Sequence, residues 1–405
     1  MKYNDINFHG TFGIELESLR VTKDACISKN AHPFNDVHIS KDFAECQMEL
    51  ITDTSGSIEE VYSALKRIYK NVESVLFLGG QKREYIWPFS VPPALRHGDS
   101  IDIARFEKKD KYREHYRKLL SEKYDMKKML YCGIHYNYSF EDNNINTSDK
   151  NERFLRLAAR IAEYAWLPVL LMGASPLYDI SLTSRDRYGV TISKEEASIR
   201  CGKRGYWNHF TPIIDYTSFD GYIASIDNMV KEGLLYSESE LYYPVRLKCK
   251  GQYNLDNLRK NGAEYIEFRL LDINPLTPYG VYKEDLIFLH MLFVYLDSLD
   301  TGEFDEEAQK NALDMVKLAA QYDNKKLLKK ASEILKAMRE YFTGNAAKLY
   351  IDALNYQYAK IEDEKNMYSR IIVKECSEKY AGDMNAYGIA LMKKNASAIE
   401  HEKCI

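Results

Sequence analysis

The chain has seven cysteines (Cys26, Cys46, Cys132, Cys201, Cys249, Cys376 and Cys404) and no C-x-x-C pair among them. An odd count without that spacing argues against a thiolate zinc site and against a disulfide framework, and it fits a reducing compartment. Long apolar runs are missing too. The two most apolar stretches, 166–174 and 286–296, fall well short of the roughly 20 residues that span a bilayer and read as buried helices. The opening Met1-Lys2-Tyr3-Asn4-Asp5 lacks the apolar core of a signal peptide, so a cytoplasmic protein with no membrane partner is expected. There is no basic excess: the formal net charge is −4, which argues against a nucleic-acid partner. No G-x-x-x-x-G-K-[ST] phosphate loop occurs, and Gly79-Gly80 lacks the surroundings of a dinucleotide fingerprint. Internal repeats and low-complexity linkers are likewise absent.

What the chain does have is a set of polar residues at strand spacing. In Phe12-Gly13-Ile14-Glu15-Leu16-Glu17-Ser18-Leu19-Arg20, apolar and acidic residues alternate. A strand there points Glu15 and Glu17 to one face and Ile14 and Leu16 to the other. Two adjacent carboxylates repel unless a cation lies between them, and Mg²⁺ or Mn²⁺ prefers such oxygens. Taken alone, this segment is as well explained by a solvated strand face. Further strand-like runs cover 43–51, 129–140, 242–249 and 263–271; helical patterns cover 57–78, 111–124, 152–171 and 220–232. Ser57 with Glu60 forms a capping-box pattern. Alternating, half-polar strands predict an α+β fold with an antiparallel sheet, one face of it lining a wet site. Residues 304–405 contain no proline and are rich in Ala, Lys, Glu and Leu, which predicts several helices. We divide the chain at 300: a catalytic part over 1–300 and a C-terminal helical segment over 301–405 packed on it.

The other polar strands repeat this logic. In the run from Asp42 to Ile51, Glu45 and Glu49 share a strand face, while Asp42 has the opposite parity and belongs where the strand begins or at a bulge. Gly133-Ile134-His135-Tyr136-Asn137-Tyr138-Ser139 puts His135, Asn137 and Ser139 on one face. Glu264-Tyr265-Ile266-Glu267-Phe268-Arg269 puts Glu267 beside Arg269, and Ser198-Ile199-Arg200 leads into Arg204-Gly205-Tyr206, a candidate anion-binding loop. Singly, each has a plainer reading: a structural histidine, a surface ion pair worth under about 1 kcal/mol, a helix cap. Together, several carboxylates and one histidine have the ligand chemistry of a site for two or three hard metal ions, with arginines for anionic substrates. This leaves phosphoryl transfer and metal-assisted hydrolysis both open.

At these residues the chain resembles the bacterial-type glutamate–cysteine ligases (γ-glutamylcysteine synthetases), distant relatives of glutamine synthetase. The resemblance is carried, in order, by Gly13 to Arg20, His32-Pro33, Asp42 to Thr52, Trp87-Pro88-Phe89-Ser90, Tyr116-Arg117, Gly133 to Asn137, Gly173-Ala174-Ser175-Pro176, Ser198-Ile199-Arg200, Gly205-Tyr206, Tyr242, Pro244-Val245-Arg246 and Glu264 to Pro275. It implies a glutamine synthetase-like core, a curved sheet forming a funnel surrounded by helices. It implies an ATP-dependent ligation of glutamate's side-chain carboxylate to the amine of cysteine through a γ-glutamyl phosphate. It implies Mg²⁺ or Mn²⁺, two or three ions, held by Glu15, Glu17, Asp42, Glu49, His135 and Glu267. Arg269 is then the catalytic partner of Glu267 and, with Arg246, contacts ATP phosphates. Arg200, Arg117 and Asn137 fall near glutamate, and Phe43, Tyr116, Tyr206 and Tyr242 fall in the cysteine pocket. Glu45 is expected to be structural. Trp207 and the loop Cys201-Gly202-Lys203-Arg204 depart from the family pattern, which leaves another acceptor amine, and a non-catalytic paralogue, as alternatives. Residues 301–405 are too few for a fused glutathione-forming ligase domain, and none is expected among them. The oligomeric state stays open, a monomer included.

Overall fold

The computed structural model describes residues 9–78, 83–96, 99–140, 146–183, 189–300, 302–342 and 348–402. The N-terminal residues read above for a leader, Gly79-Gly80 and Cys404 lie outside them. The strands are β1 (Gly10–Val21), β2 (Ile39–Lys41), β3 (Gln47–Ile51), β4 (Tyr85–Ile86), β5 (Gly133–Phe140), β6 (Leu177–Asp179), β7 (Val190–Ile192), β8 (Val245–Lys248) and β9 (Tyr265–Asp272). One open sheet of seven strands runs β2-β3-β1-β5-β9-β8, with β4 pairing to β1; β6 and β7 form a separate hairpin. Every ladder is antiparallel. The mixed architecture with a mainly antiparallel, unclosed sheet is the one expected.

Before residue 300 the helices are α1 (Ile58–Phe77), α2 (Lys111–Lys123), α3 (Thr147–Tyr164), α4 (Trp166–Met172), α5 (Phe219–Lys231), α6 (Leu255–Asn261) and α7 (Lys283–Asp297). Ser57 caps α1, accepting from the Glu60 N–H. The Glu60 carboxylate does not complete a capping box; it takes the Ser55 hydroxyl instead. The helix expected over 152–171 is two: it starts at Thr147, capped by Asn146, and breaks at Ala165. Pro168 accounts for the break, because its ring cannot bond to, and clashes with, the carbonyl four residues back.

Alternation along the strands sorts the side chains. Phe12, Ile14 and Leu16 of β1, Tyr136 and Tyr138 of β5, and Phe268 of β9 are all buried. Helix α7 is buried along nearly all of its length from Asp285 onward, and its Phe293 ring lies 5.7 Å from Tyr136, 5.7 Å from Tyr138 and 6.0 Å from Phe268. This fills one face of the sheet with hydrocarbon and leaves the other for the polar residues.

Beyond residue 300 come α8 (Glu306–Ala319), α9 (Lys325–Tyr341), α10 (Lys348–Glu362), α11 (Tyr368–Tyr380) and α12 (Met384–Glu402). They are pinned to the rest by buried polar contacts. Lys360 of α10 donates to Leu171 O (3.0 Å) and Gln357 Oε1 (2.9 Å), and lies 3.3 Å from the Asp285 carboxylate of α7. Asp285 also accepts from Gln357 (2.8 Å) and the Tyr368 hydroxyl (2.7 Å). Burial lowers the Lys360 ammonium to about 8 despite Asp285. After α8, Ala320 O accepts from Ala197 N (2.8 Å) and Ser198 N (3.1 Å), and Tyr322 N donates to Glu195 O (2.8 Å).

Candidate active site

The polar face of the sheet forms the floor of a cleft of about 650 Å³. Register places its residues. Glu15 lies opposite His135 and Glu17 opposite Glu49; Asn137 lies opposite Glu267, and Glu267 opposite Arg246. The β5–β9 ladder shifts register between Ile134 and Tyr136, so Arg269 and Leu270 together face His135. Without that extra residue the alternation would carry either Glu267 or Leu271 to the wrong face. Both Arg269 and Leu270 line the cleft.

His135 is nearly enclosed by acids. Its Nδ1 lies 3.2 Å from Glu15 and 3.9 Å from Glu267, and its Nε2 lies 3.4 Å from Glu17. Glu15 also accepts from Asn137 Nδ2 (2.8 Å), Glu17 from the Gly133 N–H (2.8 Å), and Glu49 from the Ser40 hydroxyl (2.8 Å). Burial and the carboxylates of Glu15, Asp42 and Glu17 push the Glu49 carboxyl up to about 8. Burial and Glu17 push Asp42 to about 6, against the pull of Arg117. Glu15 behaves otherwise: burial raises it, but the His135 hydrogen bond and charge prevail and leave it lowered. Glu267 is only 1% exposed, yet Lys248 (3.1 Å), Arg269 (2.8 Å) and Arg246 (3.9 Å) outweigh its burial and hold it well below the usual carboxylate range. One end of the cleft floor is thus short of positive charge and the other is rich in it.

Ligand atoms of Glu15, Glu49 and His135 lie within 4.8 Å of one another. Crowded carboxylates, of which Glu49 and Asp42 hold their protons more tightly than usual, with one imidazole beside them fit a hard divalent cation.

The cations around the floor differ in how far they are already committed. Arg200 lies over Gly133, where an added Cβ would stand 2.0 Å from the guanidinium, and its Nη2 donates to Arg269 O (2.9 Å). Arg246 gives Nε and Nη2 to Leu241 O and Ser239 O. Arg117 donates to the backbone carbonyls of Asp42 (2.5 Å), Arg113 (3.0 Å) and Lys41 (3.2 Å), so two of its donors hold the backbone that carries Asp42 and a third is spent on its own helix. Opposite stands an aromatic wall: Tyr206 and Tyr242 have ring centroids 4.0 Å apart, and Phe43, Tyr116 and Trp207 join them in the lining. Trp207 donates its indole N–H to Gly202 O (2.9 Å).

Of the residues named from the sequence, the cleft lining brings together Glu15, Glu17, Asp42, Phe43, Glu49, Tyr116, Arg117, His135, Arg200, Tyr206, Tyr242, Arg246, Glu267 and Arg269. Asn137 stands apart from the lining and reaches it through Glu15. The strand assigned to 43–51 is shorter: 42–46 is the turn between β2 and β3. Glu45 therefore does not share Glu49's face. It accepts from the N–H groups of His32 (2.9 Å) and Arg105 (2.7 Å), a structural role. Sequence reasoning passed over Lys248 and Arg113. Lys248 has Arg246's parity in β8, a signal that was available; Arg113 sits on α2 one turn before Tyr116 and Arg117.

The open antiparallel sheet thus carries a carboxylate–histidine cluster on its wet face, with basic side chains around it. The chain belongs to the glutamate–cysteine ligase family, whose model matches residues 2–318. It is similar to the glutathione biosynthesis bifunctional protein GshAB of Listeria welshimeri, at 35% identity over 312 residues, covering 71% of this chain and 40% of the relative. The protein of that description from Clostridium perfringens is 33% identical over 420 residues, covering 92% and 53%. The chain thus spans roughly 40 to 53% of the length of these two relatives. Among solved structures, a bifunctional glutathione synthetase from Pasteurella multocida superposes with a TM-score of 0.80 at 25% identity, over 97% of this chain and 53% of that one. A glutamate–cysteine ligase of Francisella tularensis in complex with AMP gives 0.87 at 22% identity, over 98% and 90%, a likeness of fold. No helix among the described residues is long and apolar enough to cross a membrane.

Proposed function

We propose that this chain joins the side-chain carboxylate of L-glutamate to the amine of L-cysteine at the expense of ATP, giving γ-glutamylcysteine, ADP and phosphate. The observation that carries the proposal is the convergence, in one cleft, of Glu15, Glu17, Asp42, Glu49, His135 and Glu267 with Arg200, Arg246, Lys248 and Arg269. Such a ligation brings two anions together, and nothing but opposing charge can hold them in reach.

In this reading the six acidic and imidazole side chains hold Mg²⁺ or Mn²⁺, which screens the phosphates and orients the γ-phosphoryl group. Glutamate's carboxylate attacks that phosphorus, ADP leaves, and the cysteine amine then displaces phosphate from the acyl phosphate. Arg269 and Lys248, already against Glu267, present charge where the transferring group becomes most anionic. Arg246 supports them from a frame fixed by Leu241 and Ser239. Arg200, clamped between Gly133 and the Arg269 carbonyl, keeps donors for glutamate's carboxylates. Phe43, Tyr116, Tyr206 and Tyr242 wall the acceptor. A protein working in the cytoplasm on these small molecules fits the reading.

The test is phosphate release with ATP, Mg²⁺ and glutamate, compared across cysteine, 2-aminobutyrate and other amines. Cysteine is expected to give the largest stimulation. No stimulation by cysteine where another amine succeeds would move the chain to a different acceptor; release with no ATP requirement would remove ligation altogether.

A further inference from the structure

We propose that Arg113 binds the carboxylate of the acceptor amino acid. The inference rests on the ligation reading above and deepens it. Six basic side chains other than histidine line the cleft, and five already have acceptors. Arg117 holds three backbone carbonyls, Arg200 holds Arg269 O, and Arg246 holds Leu241 O and Ser239 O. Lys248 and Arg269 hold Glu267. Among the described residues Arg113 has no carboxylate or carbonyl on its guanidinium. Its guanidinium lies over the Phe106 ring, 4.5 Å from the centroid. That ring also carries Arg117 at 4.7 Å and Lys41 at 5.0 Å. Lys41 already has the Glu45 carboxylate (3.6 Å) and Arg117 its backbone carbonyls, so of the three cations on this ring Arg113 is the one whose donors are left for an anion.

Placement selects the anion. Arg113, Tyr116, Arg117 and Leu120 follow the i, i+3, i+4, i+7 spacing on α2 and all line the cleft. Tyr116 lines the cleft together with Tyr206 and Tyr242, so α2 borders the aromatic acceptor wall. The triad around Glu267 is on β8 and β9, and Arg200 sits over β5. A planar guanidinium with a full set of free donors takes a carboxylate in a two-point grip. Stacking on Phe106 keeps the Arg113 plane oriented while its edge stays available. The carboxylate that arrives on this side is the acceptor's.

The test compares wild type, Arg113→Ala, Arg113→Gln and Arg113→Lys with ATP, glutamate and either cysteine or cysteamine, the same acceptor without its carboxylate. Losing one charge-assisted contact is expected to lower kcat/KM for cysteine about ten- to hundredfold in the Ala and Gln variants. KM for glutamate and for ATP should hold within about twofold, cysteamine turnover should be unchanged, and Arg113→Lys should recover part of the loss. A rise in KM for glutamate or ATP with no change for cysteine overturns the assignment, as does an equal loss for cysteine and cysteamine. If wild type itself shows no cysteine-dependent phosphate release, the ligase reading fails instead. Circular dichroism on each variant separates misfolding from lost contact, and Arg113→Lys, which keeps the charge and the stem, decides the matter if Arg113→Ala does not fold.

Discussion

Glu17 stands directly across the β1–β3 ladder from Glu49. Like charges in facing positions destabilise a sheet by up to about 1 kcal/mol, and here Glu17 is buried and Glu49 half-buried, with Asp42 and Glu15 beside them. Their cost is the reverse side of their use.

That cost has a pH signature. Glu49 ionises at about 8 in the folded chain against an ordinary 4.5, so between those values the folded state binds more protons than the unfolded one. The metal-free protein therefore loses stability as pH rises through that window. A divalent cation removes the loss, so the rise in Tm on adding Mg²⁺ or Mn²⁺ should be larger at pH 8 than at pH 6. In Glu49→Gln the gain should be smaller and nearly flat with pH. A wild-type gain independent of pH would count against the cluster as the cation site.

Glu267 joins the acidic cluster to Lys248 and Arg269. Glu267→Gln should cut ATP- and glutamate-dependent turnover by at least about a hundredfold while leaving the circular dichroism spectrum in place. Some thermal stability should go as well, since Lys248, Arg269 and Arg246 lose their buried counter-charge. Undiminished turnover would refute the role given to this residue.

Gly133 has no room for a methyl group beneath Arg200. The obstacle is the end of a flexible side chain, so Gly133→Ala should fold and displace the guanidinium. Steady-state kinetics should show KM for glutamate rising about tenfold or more, with a smaller effect on kcat. A KM for glutamate equal to wild type would place the glutamate carboxylates elsewhere.

The Lys360–Asp285 contact is buried on both sides. Lys360→Met leaves the Asp285 carboxylate without its cation and should lower unfolding free energy by about 3 kcal/mol in urea titrations. Lys360→Met combined with Asp285→Asn should recover much of that. Additive losses in the double variant would show that the two residues act separately.

Strand parity placed Glu15 with Glu17, His135 with Asn137, and Glu267 with Arg269 within their own strands, because a two-residue repeat needs no tertiary information. That these strands share one surface came from the family resemblance. Parity failed at Glu45, where a turn between β2 and β3 interrupts the alternation, and it could not foresee the extra residue at Arg269–Leu270. The Arg117 guanidinium could be located but not its commitments: bonds to backbone carbonyls of a neighbouring turn leave no trace in side-chain pattern. Arg113 was overlooked for the same reason, since what distinguishes it is the partners it lacks. The apolar stretch 286–296 was legible as a buried helix, which α7 is, whereas the break between α3 and α4 was missed although Pro168 signals it.

The carbonyl of Ala320 receives two amides of the turn that leads into Arg200. A shortened chain ending where the family match ends, at residue 318, would strip those amides of their partner and loosen the segment that carries Arg200 into the cleft lining. The helices beyond 300 are thus part of the mould in which the cleft is cast, and any minimal version of this protein has to run past Tyr322.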